Sequence, residues 1–256
     1  MILRRIAEQL RKQNWVAVGI EFLIVLLGVW LGLQAQEWSN ARADRQRELQ
    51  LVNDMLGDIE IDRAVYATAM RQDRIRIGTA DSALRAAGSA PLAFHWEAAQ
   101  GDLDSYSNEL LDYSKVNLGE PEALWTNIIM GYFPTVSTTT YDSMTGAGDM
   151  KLVRDRSVLR AIQAYHNRSQ SVVIQNQKLL EVRQDGLRVG AKFGLAPYAN
   201  MPAIRFLQLV ATKPELEATI RNQATFTVFH FGDIKSADRE AAALEKRLKA
   251  YRDRLQ

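Results

Sequence analysis

The chain has 256 residues, 47% apolar and 24% charged, with a formal net charge of +2 and no cysteine. The missing cysteine excludes disulfides, cysteine-ligated zinc and thiol catalysis. Arg4, Arg5, Arg11 and Lys12 stand against Glu8 in residues 1–14, so the remainder is close to neutral and carries no basic field for nucleic acid.

The first element is the apolar run Trp15–Leu33, interrupted by the single charge of Glu21. As a helix it would be about 28 Å long, close to the ~30 Å hydrocarbon core of a bilayer. The sequence therefore predicts a transmembrane helix over 15–35, with 1–14 as a cytoplasmic tail and 36–256 as a helical, periplasmic domain. A cleaved signal peptide is the alternative near Ala35, but the run is long for one. Orientation follows the basic residues: four lie before the span, whereas Arg42, Arg45 and Arg47 begin nine residues beyond Leu33. That asymmetry puts the N-terminus in the cytoplasm of a bacterial inner-membrane protein.

Glu21, Val25, Gly28, Gly32 and Ala35 fall on one side of the span. Gly28 and Gly32 have the spacing that lets two helices approach closely. Glu21 shares their face, where an ionisable group in lipid would meet protein or water. Alternatively, Glu21 reaches the interface and plays no part in association.

From Gln34 onward good helix formers follow without a break, and an apolar stripe continues at Leu49, Val52, Leu56, Ile59, Tyr66, Met70 and Ile77. The span is thus expected to run into an amphipathic stalk, 36–77, with Gly57 and Gly78 as weak points and an end at Gly88–Pro91. The acidic run Asp58, Glu60 and Asp62 fits a solvated helix side. Shorter helices are expected over 96–113, from Pro121 to Met130, and from about Thr138 to Gly146. Asp155 or Ser157 caps a long helix to about Arg188, with its stripe at Val158, Ile162, Tyr165, Ser169, Val172, Asn176 and Leu179. Residues 189–201 read as a loop and Pro202–Ala211 as a helix. Thr212 and Glu215 have capping-box spacing before the last helix. That helix carries a stripe from Leu216 through Gln223, Thr227 and His230 to Leu255. A strand at Thr225–Phe231, where Phe and Val alternate with Thr, competes with its middle.

The fold expected is all-α: a membrane helix, a stalk and a helical bundle. No GxSxG, Walker, HExxH or GxGxxG pattern occurs, so no catalytic, cofactor-binding or metal-ligating residues are assigned. His166 and His230 read as packing residues on helix faces, and His95 as part of a helix start.

Two stretches carry a resemblance. In FLIVLLGVWLGLQAQEWSNARADR these are Gly28, Gly32, Leu33, Gln34, Trp38, Arg42 and Arg45; in TYDSMTGAGDMKLVRDRSVLRAIQAYHN they are Tyr141, Gly148, Leu152, Arg154, Asp155, Leu159, Arg160 and Tyr165. Both are similar to a family of uncharacterised bacterial single-pass membrane proteins defined only as a domain of unknown function. The resemblance implies a one-span, mostly helical protein and offers no reaction. Together, the readings predict a non-enzymatic scaffold or interaction protein in the lipid bilayer, self-associating as a homo-oligomer, with a protein partner still to be identified and no nucleic acid. The competing reading is a sensor-like bundle that binds a small ligand between helices. An enzyme ranks third.

Overall fold

The computed structural model describes residues 15–96 and 102–256, with side chains from Gly19 onward. All regular structure among them is helical, as expected. A helix of 72 residues, α1 (Trp15–Ala86), is followed by α2 (Leu103–Leu111), α3 (Leu124–Ile129), α4 (Thr139–Gly146), α5 (Arg156–Lys192), α6 (Ala203–Thr212) and α7 (Pro214–Leu255). Short 3-10 turns precede α3 and α5, at Pro121–Ala123 and Asp149–Leu152. The chain forms two compact units, one ending at Gln50 and one of Leu51–Gln256.

In the first unit, α1 carries the apolar run. Its large side chains from Ile20 to Leu33 are all 47–67% exposed. Among the described residues one helix is long and apolar enough to cross a membrane, and it is α1. The expected tail, 1–14, lies outside the described residues.

The second unit is built on α1, α5 and α7. Asp62 meets Tyr165 and Asp73 is linked through His230 to Asn176, so α5 runs parallel to α1. Arg63 pairs with Asp238 and Glu245, and Arg76 with Thr227, so α7 runs antiparallel. The expected stripes make this possible. Val158, Ile162, Tyr165, Ser169, Val172 and Leu179 of α5 are buried, as are Leu216, Ile220, Thr227, Ile234, Ala241, Leu244 and Leu248 of α7. Thr225–Phe231 lies inside α7, which settles the strand alternative. The stripes bury two apolar clusters. One gathers Leu51–Ala69 with the start of α5 and the end of α7; the other gathers Ile77–Leu84 with α2, α3, α6 and the start of α7.

Several expected details differ. Gly57 and Gly78 do not interrupt α1. Gly78 instead leaves room for Tyr113 and Leu118, which a Cβ there would meet at 2.9 and 2.7 Å. The helix expected over 96–113 is Leu103–Leu111, with residues 97–101 outside the described set. α5 continues to Lys192, through residues read as loop. Gly186, within the expected helix, and Gly190, within the expected loop, form a notch that seats Ile129 and Trp125 of α3. The capping box is not made: Lys213 is the N-cap without a side-chain bond, and the Thr212 hydroxyl donates backward to Gln208 O.

Candidate functional site

The residues singled out by sequence fall into separate places. Glu21, Gly28 and Gly32 are exposed on α1, and a Cβ at either glycine would meet nothing within 4 Å. Trp38 is 71% exposed, and Arg42 and Arg45 are exposed on the same unit. Tyr141, Arg154, Asp155 and Tyr165 belong to the second unit.

Asp155 is the N-cap of α5. Its carboxylate accepts from Ser157 N at 2.9 Å and Val158 N at 3.4 Å, which satisfies amides at the helix start. The Ser157 hydroxyl and the Arg254 guanidinium also donate to it, and these bonds hold its carboxyl well below the usual range. Arg154 donates its backbone N–H to the Tyr251 hydroxyl at 3.2 Å. Tyr141 stacks on His166 with ring centroids 3.7 Å apart. These contacts hold the entry to α5 against the end of α7.

Tyr165 leads into the interior. Its hydroxyl donates to Asp62 Oδ2 at 2.5 Å and lies 3.4 Å from the Tyr66 hydroxyl. Burial, and then the neighbouring Tyr66 and Asp62, push the Tyr165 phenol far up, so it remains a donor. Asp62 is itself fully buried; burial raises its carboxyl above the ordinary range despite the bonds from Tyr165 and Ser137. The acidic run read as solvated is exposed at Glu60 and half-buried at Asp58, but Asp62 occupies the buried stripe between Ile59 and Tyr66.

What these carboxylates hold is a strap of irregular backbone, Met130–Thr138, between α3 and α4. Buried irregular backbone needs partners from elsewhere. Ser137 N donates to Asp62 Oδ1 at 2.7 Å, and Thr140 N, just past the strap, donates to Asp58 Oδ2 at 3.1 Å. Asn176 Nδ2 donates to Pro134 O at 2.8 Å. Gly131 lies so close to Arg76 that a Cβ there would come within 1.8 Å of Nη2.

A second polar cluster lies where the two apolar clusters meet. His230 Nδ1 is 2.8 Å from Asp73 Oδ2, and Nε2 is 2.9 Å from Asn176 Oδ1. Arg76 Nη1 donates to Thr227 Oγ1 at 3.3 Å and stands 3.9 Å from Asp73 Oδ1. Asp73, Arg76, Thr227 and His230 are all at most 1% exposed. Burial pulls the Arg76 guanidinium down, against the pull of Asp73 and together with the push of Arg183. Arg76 Nε and Nη2 find no hydrogen-bond partner, nor does Arg183 Nε. The Phe133 ring of the strap meets His230 edge-on, and Arg183 lies over that ring.

Elsewhere, a groove of about 260 Å³ between α5 and α7 has a floor of Ala161, Ala164 and Ala243 under a mixed rim of Arg160, Glu240 and Arg247. Among the described residues no three His, Asp or Glu side chains gather as a metal site. The chain matches no protein-family model, no curated protein and no solved structure.

Proposed function

We propose that the chain is a membrane-anchored scaffold or interaction protein that self-associates through the Glu21, Gly28, Gly32 face of α1. The observation that carries the anchor is the run of eleven large apolar side chains exposed between Ile20 and Leu33. Leaving each in water forgoes roughly 1.5–3 kcal/mol, and lipid is the cover that a single helix of this length fits. The basic residues before the span support an N-in orientation in a bacterial inner membrane, with residues 36–256 in the periplasm.

Association is tested in a membrane two-helix assay. Gly28→Ile and Gly32→Ile should each lose most of the association, because a β-branched side chain holds the backbones apart. Glu21→Gln should weaken it mildly, since an amide still bonds across the interface, and Val29→Leu should change little. Glycine variants that associate like wild type would show that this face is not the interface. For topology, alkaline phosphatase fused after Gln256 should be active; activity confined to a cytoplasmic reporter would reverse the orientation.

A further inference from the structure

The bond from Asn176 to the strap determines how the buried histidine must be protonated. A proline carbonyl can only accept, so the amide group of Asn176 that faces Pro134 O is its NH2, at 2.8 Å. Asn176 Oδ1 is thereby turned to His230 Nε2 at 2.9 Å, and an amide oxygen also only accepts. Nε2 must therefore carry a proton. On the other side of the ring, Nδ1 faces the Asp73 carboxylate at 2.8 Å, which needs a second proton between the two groups. The Arg76 guanidinium, 3.9 Å from Asp73 Oδ1, opposes protonation of that carboxylate and so keeps the second proton on the ring. The set is complete only with Asp73 ionised and His230 as an imidazolium.

We propose that this proton is the latch of the strap: the Asp73–His230 pair holds Met130–Thr138 closed when loaded, and releases it when the proton leaves. The inference rests on the interior of the second unit and not on the membrane reading. A ring with one proton leaves two choices. A proton kept on Nε2 sets a bare Nδ1 against the Asp73 carboxylate at 2.8 Å. A proton kept on Nδ1 sets a bare Nε2 against Asn176 Oδ1; turning the amide over to relieve this aims its oxygen at Pro134 O instead. Either choice places two acceptors face to face against a fully buried ring, the first beside the fully buried Asp73 and the second beside the half-buried Asn176, and an unpaired polar group there is costly. The least bound element yields, and that is the strap, whose backbone is held by side chains.

The groups around the ring come from every packed element. α1 supplies Asp73 and Arg76, and α5 supplies Asn176, with Arg183 over Phe133. On α7, Asp233 favours the imidazolium and is itself paired with Arg168 of α5 at 3.8 Å and influenced by Lys178. The strap supplies Pro134 and the edge-on Phe133 ring. Asp73 and Asp233 favour the charge on the ring and Arg183 opposes it; Arg76 disfavours a proton on either partner of the pair, and its measured approach is to the carboxylate of Asp73, so between the two the proton stays on the ring. Asp62, which grips the strap at Ser137, sits on a separate turn of α1.

The test uses the full chain in lipid nanodiscs, with hydrogen-exchange protection factors measured at about pH 5.5 and about pH 8.5, on either side of the ordinary histidine range. Protection in a peptide covering 131–138 should fall about tenfold or more at the higher pH, while amides in α7 keep theirs. Ring 15N shifts should show His230 with two ring protons at the lower pH and one at the higher, assigned by their loss in His230→Gln. In Asn176→Leu, which severs ring from strap, strap protection should be low and independent of pH. Equal wild-type protection at the two pH values overturns the proposal whatever the state of the ring. So does a ring with one proton at about pH 5.5 under a protected strap, or a pH step that survives in Asn176→Leu.

Discussion

Gly190→Ala should destabilise the second unit by about 1–3 kcal/mol, although helix propensity alone favours Ala by about 1 kcal/mol. A Cβ at Gly190 would stand 2.4 Å from Trp125 Cζ2 and 3.0 Å from Cε2. Trp125 has no room to retreat: it is 3% exposed, belongs to the apolar cluster around Ile77–Leu84 and lies tilted against Phe206. One turn earlier, a Cβ at Gly186 would come within 2.5 Å of Ile129 Cδ1, so the two glycines together seat α3 on α5. The expected direction is set by overlap with a rigid ring, which outweighs the gain in backbone entropy. Gly57→Ala supplies the contrast, because Gly57 is an exposed mid-helix glycine with nothing within 4 Å of its Cβ position. That change should stabilise by about 0.5–1 kcal/mol. Urea unfolding of both variants in detergent, compared by midpoint at constant slope, separates the two. Stabilisation by both changes would mean that Trp125 does not fill the notch.

The notch was hidden in the sequence for an identifiable reason. Glycine-rich residues after Arg188 read as a loop because glycine is a poor helix former, yet Gly190 lies in α5 like Gly186 before it, and a larger residue at either would overlap α3. The stripes of α5 and α7 were legible because apolar residues at three- and four-residue spacing mark a buried face whatever they pack against. Asp62, Asp73 and His230 occupy the same spacings: Asp62 lies between Ile59 and Tyr66, Asp73 between Met70 and Ile77, and His230 between Thr227 and Ile234. Their positions on the stripes carried the signal: His230 reads as packing on that ground, while charge alone argued for solvent at Asp62. Asp62 is held by the strap and Tyr165, while Asp73 and His230 hold each other, and no local pattern announces either arrangement. Ser137 meets Asp62 across 75 residues of chain, and Pro134 meets Asn176 across 42. The cap at Asp155 lies at the other extreme, because its partners are two and three residues away. The unsatisfied capping box at Thr212 shows the limit even of local rules, since its hydroxyl finds Gln208 O within α6 instead.

Arg76→Met is expected to raise the stability of the domain, by about 1–4 kcal/mol. A guanidinium with 1% of its side chain exposed has lost nearly all its hydration, and what it receives in return is small. Nη1 makes one long bond to Thr227 and stands 3.9 Å from Asp73, while Nε and Nη2 are unpaired. Methionine keeps the length of the side chain, packs against Gly131 without a charge, and asks for no partner. Asp73 keeps His230 Nδ1 at 2.8 Å from Oδ2, while Oδ1, which has no hydrogen bond, loses only the guanidinium 3.9 Å away. Removing the anion is another matter: Asp73→Ala leaves Arg76 and His230 buried without it and should destabilise by about 3–5 kcal/mol. The opposed signs of two changes in one cluster make the comparison sharp. Thermal unfolding at a pH near 6 should rank Arg76→Met above wild type and Asp73→Ala far below it. If Arg76→Met falls as far as Asp73→Ala, the guanidinium has strong partners and its burial is structural. If the expected ranking holds, Arg76 is kept at a net cost, and the place to look for its return is the strap it touches at Gly131 and the proton it keeps on His230.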